Sequence, residues 1–431
     1  MLSKWFESAR LNTFLRNSRA AAGPKGLVGT LIGGVVAAVS GLFLARLLGA
    51  VVQALIVRRM GVTLYGEYAT LLITLGLFAS LLGLGLDTWL LQEGGRDPAN
   101  LAQHMREVLA IKGVAALGLL VLLAVIWSNE IVQGPAFVVG ALAIIFDSFA
   151  QTGYSALRAQ RRNTLVAAFQ TVTPLLLLGV LFAFERAALS VLLLVSIQAA
   201  CSVALTLVVL TRVWRINSPT TRIRFKLRYV VKKGWLFVAA EGLSNIYTQS
   251  GPAILGAAVG TAAVGIYSPA RNLILLTLLA PNLLFSVGLP LLMAPDTPPS
   301  EYWRVIRVML SGSVAYGLVA LAGLWIFGSL LIRIVYGSEF DAALPLVRVM
   351  SLVPLLKACS FVWVAIMLSR LQQRLRVTLQ LLTVVVSVVA GLLIIPAYGL
   401  AGAAWLYVGV ELLLCGLYGL GAWFVTRRGS R

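Results

Sequence analysis

Long apolar runs separated by short polar stretches repeat along the whole chain. A membrane-spanning helix needs about 20 apolar residues to cross roughly 30 Å of hydrocarbon. On that pattern twelve spans are expected, near 38–58, 66–90, 110–128, 135–153, 165–184, 188–211, 235–257, 266–293, 307–329, 344–368, 377–396 and 401–425. The fold class expected is an all-α integral membrane protein. The first run is too long: apolar character begins at Leu27, and 27–58 as one helix would be about 48 Å. Gly33, Gly34 and Gly41 offer places to bend, or 27–37 forms a separate interfacial segment.

Composition sharpens this reading. Of 431 residues, 60% are hydrophobic and 12% charged, with a mean hydropathy of +0.94. A soluble domain is nearer one quarter charged, so a soluble enzyme is excluded. Cys201, Cys359 and Cys415 all lie in apolar runs and read as small buried hydrophobes, with no disulfide or metal-ligand spacing.

The net charge of +20 raises the question of nucleic acid. Its distribution answers otherwise. With a cytoplasmic N-terminus, 27 of the 35 Lys and Arg fall at or just inside cytoplasmic segments. Four fall in outer loops: Arg58, Arg59, Arg186 and Arg333. The positive-inside rule then puts both termini in the cytoplasm and makes the span number even. The expected layout is a basic segment 1–26, an N-lobe 27–211, a basic linker 212–234, a C-lobe 235–425 and a basic tail 426–431. The 1–26 segment mixes Lys4, Arg10 and Arg16 with Trp5, Phe6 and Phe14, as a surface-lying helix would, or is a loose tail. It makes a poor signal peptide, because the apolar run after it is too long. The linker is a topological anchor or a contact for anionic headgroups.

An internal repeat supports the two lobes. Gly61–Tyr68 and Gly260–Tyr267 both read G-x-x-x-x-G-x-Y, 199 residues apart, each in an expected loop leading into a span. Two six-span halves would share orientation about an axis along the membrane normal, and such folds transport by rocking around a central site.

Ionisable groups inside hydrocarbon are the candidate chemistry, because each costs roughly 2.5–3.5 kcal/mol on insertion scales. Arg46, Lys357 and Glu411 lie deepest. Arg271 and Arg348 are about one turn from the outer surface, and Asp147 and Glu241 lie near cytoplasmic ends. Asp87 falls at the inner end of the second span, where an interfacial place suffices. Two readings stand for the cations: ligands for an anionic cargo in a water-filled cavity, or internal ion pairs. The acids Asp147, Glu241 and Glu411 either couple transport to H⁺ or Na⁺ or neutralise those cations. Arg348 and Lys357, nine positions apart, face opposite ways on a straight helix unless Pro354 kinks it.

No phosphate-binding G-x-x-x-x-G-K-[ST] loop, no G-x-S-x-G and no metal-ligand cluster is present. The lone His104 sits in a polar segment. No catalytic residue and no cofactor is expected. Short outer loops speak against a membrane polymerase or transferase.

Several stretches carry a family resemblance: ARLLGAVVQALIVRRMGVTLYGEYA (45–69), LGLGLDTWLLQEGGR (82–96), VGIYSPARNL (264–273), VYGSEFDAALPLVRVM (335–350), and 374–411 with its IPAYGLAGAA. Over 38–428 the chain resembles the polysaccharide transporter family of the MATE-like flippase superfamily, the bacterial O-antigen and exopolysaccharide flippases. The resemblance implies two six-helix lobes, a cytoplasmic (inner) membrane location, and a cavity whose cations meet an undecaprenyl-diphosphate-linked oligosaccharide. It implies membrane lipids and other polysaccharide-assembly membrane proteins as partners, and no nucleic acid. Arg46 and Arg271 fall in corresponding stretches. A cation-coupled multidrug exporter of the same superfamily is the alternative, although deep cations fit it less well. Lipid II flippases commonly have fourteen spans, which twelve spans count against.

Overall fold

The computed structural model describes residues 41–83, 85–97, 100–128, 134–160, 162–183, 189–216, 227–293 and 298–428. The expectations for 1–26 and 27–37, and most of that for the tail 426–431, lie outside the described residues. In hydrocarbon a backbone must satisfy its own polar groups, and helices do so within one segment. The described residues form thirteen α-helices in chain order: α1 Gly41–Gly83, α2 Leu86–Arg96, α3 Leu101–Ser128, α4 Pro135–Ala159, α5 Asn163–Ala183, α6 Val191–Ile216, α7 Leu227–Ala258, α8 Thr261–Thr277, α9 Leu279–Met293, α10 Pro299–Val335, α11 Leu344–Met350, α12 Val353–Ser369 and α13 Gln373–Arg428. A 3-10 turn, Ser338–Ala343, joins α10 to α11. Among the described residues seven helices are long and apolar enough to cross a membrane, or eight if the bent α11–α12 pair counts as one.

Two of these helices are hairpins. Gln53 Nε2 donates to the Tyr65 hydroxyl at 3.1 Å. Twelve residues of straight helix would hold those residues about 18 Å apart. The chain therefore folds back at Gly61, whose φ of 71° lies in the left-handed region that glycine enters without a Cβ clash. In α13 the fold-back is at Gly399, with φ 55°. There a Cβ on Gly421 would lie 2.9 Å from Leu379 Cδ1, across the hairpin.

The expected loops at these places are therefore corrected. Residues 59–65 and 397–400 are helical apart from one glycine each. Helices also run into stretches expected to be polar loops: α3 begins at Leu101, α4 continues to Ala159, and α6 and α7 enter the 212–234 linker. Hydropathy marks where hydrocarbon ends. It does not mark where a helix ends, and Lys and Arg continue helices well.

The repeat is realised as a crossing. A Cβ on Gly66 would overlap the Thr261 carbonyl oxygen, and one on Gly265 would overlap the Val62 carbonyl oxygen. Both pairs obey the 199-residue offset of the motifs, so the contact has approximate two-fold symmetry. Tyr68 and Tyr267, which end the two motifs, are 0% and 2% exposed in one core shared by α1, α8, α10, α11 and α13. Arg58 Nη1 reaches the Ile334 carbonyl at the same end, at 3.5 Å. Smaller clusters fill each half away from the crossing, around Trp89, Met105 and Tyr154 in the first and Met309, Val362 and Tyr418 in the second.

Substituting either crossing glycine should destabilise the protein. Overpacking typically costs about 1–3 kcal/mol. Gly66→Ala and Gly265→Ala should both lower the melting temperature in detergent. Gly49→Ala, with open space around its new methyl group, should not. A Gly66→Ala protein melting like the parent would refute the close approach.

Candidate functional site

Ionisable residues gather in two polar centres, one in each half. The first is a cavity of ≈ 410 Å³ bounded by α1, α4, α5 and α6. Arg46 and Asp147 both line it. Both are exposed to it, although each lies within a long apolar helix. Gln151, one turn beyond Asp147, hydrogen-bonds the carboxylate. Gln170, Thr173, Gln198 and Ser202 add neutral donors and acceptors to the wall. Gln198 is fixed by donating to the Tyr68 hydroxyl at 2.7 Å, which ties the cavity to the glycine crossing.

Arg158 stands next to this cavity, one turn beyond its lining residue Tyr154. It is within electrostatic reach of the like charge of Arg46 and of the opposite charge of Asp87. Its Nε is buried without a hydrogen-bond partner among the described residues. Among the described residues neither arginine forms an ion pair. Sequence reasoning counted Arg158 only as one of several cytoplasmic-loop charges. The signal it carried was its place on the face that also bears Asp147, Gln151 and Tyr154, which a helix starting at Pro135 presents at three- to four-residue spacing.

Beneath the cavity lies a closed ionic knot. Lys112 Nζ is 2.7 Å from Asp87 Oδ2 and donates to the Ser148 carbonyl at 2.8 Å. Thr152 Oγ1 donates to the other Asp87 oxygen at 2.8 Å. Lys112 is fully buried, so Asp87 is more than an interfacial residue: it balances a charge that water cannot reach. The partners come from α2, α3 and α4, and no sequence spacing links them. Glu241 of α7 approaches this knot from the second half, its carboxylate 3.9 Å from where a Gly83 Cβ would stand.

The second centre is an ion pair. Lys357 Nζ sits 2.7 Å from Glu411 Oε1, with Glu411 fully buried and Lys357 15% exposed. The ammonium also lies 4.9 Å from the Tyr247 ring centroid and 3.5 Å from its hydroxyl. Two of the deepest sequence candidates are thus brought together, and each neutralises the other. Arg271 is separate from them. Its Nη2 donates to the Thr248 carbonyl at 2.9 Å, beside a ≈ 20 Å³ void among Tyr247, Tyr267 and Tyr407 with room for about one water. Arg348 joins neither centre. It is exposed and lies 5.9 Å over the Trp325 ring, which is itself 57% exposed. The chain bends by 43° between α11 and α12, ahead of Pro354, yet Arg348 still faces away from the Lys357 pair. No group of three or more metal-ligating side chains occurs among the described residues.

Breaking the second pair should be costly. Lys357→Met leaves the Glu411 carboxylate buried and unpaired, which costs about 3–5 kcal/mol. The double variant Lys357→Met/Glu411→Leu should regain most of the lost melting temperature. If it melts no higher than the single variant, the pair is not what stabilises this region.

The sequence model described as "Polysaccharide biosynthesis protein" matches residues 31–294, more than half of the chain. No curated protein matches it. Among solved structures, an inward-facing multidrug resistance MATE family transporter of the MOP superfamily superposes with a TM-score of 0.67 at 12% identity, covering 89% of this chain and 94% of that one. The MATE transporter VcmN of Vibrio cholerae, as a point mutant, gives 0.65 at 14% identity, covering 94% and 97%. A MOP superfamily transporter from Pyrococcus furiosus, described as having a binding pocket of reversed polarity, gives 0.64 at 15%, covering 95% and 96%. These likenesses establish a MATE-like fold and, with the apolar helices, a multi-pass membrane protein.

Proposed function

The chain belongs to the polysaccharide biosynthesis protein family, and on that premise we propose that it flips lipid-linked oligosaccharides across the cytoplasmic membrane. The cargo would carry an undecaprenyl diphosphate, and its glycan would move from the cytoplasmic to the outer leaflet by alternating access. The observation that carries this reading is a polar cavity lined by Arg46, with Arg158 next to it and neither arginine in an ion pair among the described residues. Two cations against the one carboxylate that lines this cavity, Asp147, favour a ligand of negative charge. Guanidinium groups match phosphate oxygens through paired, charge-assisted hydrogen bonds. The amide and hydroxyl lining around them suits sugar hydroxyls, and the prenyl tail stays in lipid.

Roles for the other candidates follow from their surroundings. Lys357 and Glu411 are assigned to holding the second half together rather than to cargo. Arg271 and Arg348 are assigned to the helix junction and the membrane face. Asp147, beside Arg46, is the acid best placed to exchange H⁺ or Na⁺ with the cavity. Glu241 is placed to sense the opposite half through Asp87 and Lys112. In this reading the thirteen helices make twelve crossings with both termini cytoplasmic. The hairpins α1 and α13 cross twice each, and α8–α9 and α11–α12 make one bent crossing each.

Asp147 also favours a second reading, a cation-coupled drug exporter, since a cavity carboxylate attracts organic cations. The resemblance to multidrug transporters concerns fold and leaves cargo open.

Purified protein in liposomes containing a lipid-linked oligosaccharide should make the glycan accessible to an external lectin. Arg46→Ala and Arg158→Ala should each slow this at least about tenfold, the value of one lost charge-assisted bond, while expression persists. Normal flipping by both variants would sink the cationic site. Dye efflux without glycan movement would establish the exporter instead.

A further inference from the structure

Outside these centres a groove of ≈ 540 Å³ lies between α7 and α13, within the range of small-molecule clefts. Leu243 and Ile246 of α7 and Val377 and Leu381 of α13 form its walls, and Gly242 leaves its floor low. The groove opens to the bilayer. Ile246 is 37% and Leu381 49% exposed, and Leu381 begins an apolar stripe that continues through Val385 and Leu392, at 52% and 59%. Water is not the solvent for such a face.

One end of this apolar groove is charged. Arg374 lines it, at the start of α13. Its two arginine neighbours are engaged: Arg370 lies 5.1 Å over the Tyr302 ring, and Arg376 hydrogen-bonds Tyr418. Arg374 is exposed and has no acidic partner among the described residues. α7 runs alongside α13 here, with Gln380 Nε2 reaching the Ala240 carbonyl at 3.4 Å. The neighbouring start of α7 continues the most basic segment of the sequence, 212–234. From Ala239 to Ile246 the helix rises about 10 Å, so the groove receives an extended chain whose head meets a guanidinium.

We propose that this groove holds one anionic phospholipid of the surrounding bilayer, its phosphate on Arg374 and one acyl chain between α7 and α13. The site is independent of the cargo cavity in the first half. An anionic headgroup is preferred over a zwitterionic one because Arg374 has no acidic partner among the described residues to offset its charge.

The test uses the full chain in detergent and native mass spectrometry, titrating dioleoyl phosphatidylglycerol or dioleoyl phosphatidylcholine. One phosphatidylglycerol should remain bound, about tenfold more tightly than phosphatidylcholine. Arg374→Gln should erase that preference, as expected for one charged hydrogen bond, and Arg374→Lys should keep most of it. Gly242→Leu should lower binding of both lipids, because its Cβ meets nothing within 4 Å and the side chain enters the groove. Melting temperatures matching the parent's verify that the variants fold. Equal retention of phosphatidylglycerol by Arg374→Gln and Gly242→Leu would overturn the site. Displacement of phosphatidylglycerol by an equal concentration of farnesyl diphosphate would also overturn it, and would give the groove to the prenyl chain of the cargo.

Discussion

Everything in this fold is hung on a backbone-to-backbone contact between Gly66 and Thr261 and its two-fold counterpart between Gly265 and Val62. Without side chains in the way, the two halves approach closely enough for helices α1 and α8 to touch through their main chains. Small residues at such crossings are how membrane helices gain packing where lipid offers no hydrophobic driving force. The consequence spreads outward. Tyr65 and Tyr68 follow the first fold-back and are buried by the crossing. The Tyr65 hydroxyl receives Gln53 from the first half and Asn272 from the second, at 3.1 and 3.3 Å. The Tyr68 hydroxyl positions Gln198 in the cavity wall. A polar site deep in the first half is thus keyed to the junction between halves.

The two halves treat charge differently. In the second half two of the deep cations have local partners: Lys357 has Glu411, and Arg271 has a carbonyl. In the first half Lys112 is bound by Asp87, whereas Arg46 lines a cavity and Arg158 stands next to it without an ion pair among the described residues. Burial of a pair is tolerable when geometry is good, whereas keeping two like charges together is unfavourable.

The sequence made the membrane class, the helical content and the duplication legible, because they are written as run length, hydropathy and the G-x-x-x-x-G-x-Y spacing. Loops were the weak point. At Gly61 and Gly399 a reversal costs a single residue, and no polar stretch announces it. Among site residues, Arg46 and Asp147 stood out as charges in apolar runs and do share a cavity. Lys357 and Glu411 stood out equally, but 54 positions separate them, and only the packing of α12 on α13 reveals that they cancel. Arg158 and Lys112 were hidden for the opposite reason. Both lie at the expected cytoplasmic ends of apolar runs, where a basic residue ordinarily signals topology, and only burial distinguishes them from the charges around them.

The hairpin at Gly399 has a consequence for how the protein is made. Its two arms are joined by one residue, with Ile394 and Gly402 packed against each other beside the turn. A membrane-insertion machinery that handles spans one at a time has no hydrophilic segment here at which to pause. On the twelve-crossing reading proposed above, the two arms of this 56-residue hairpin would enter the bilayer together rather than one after the other.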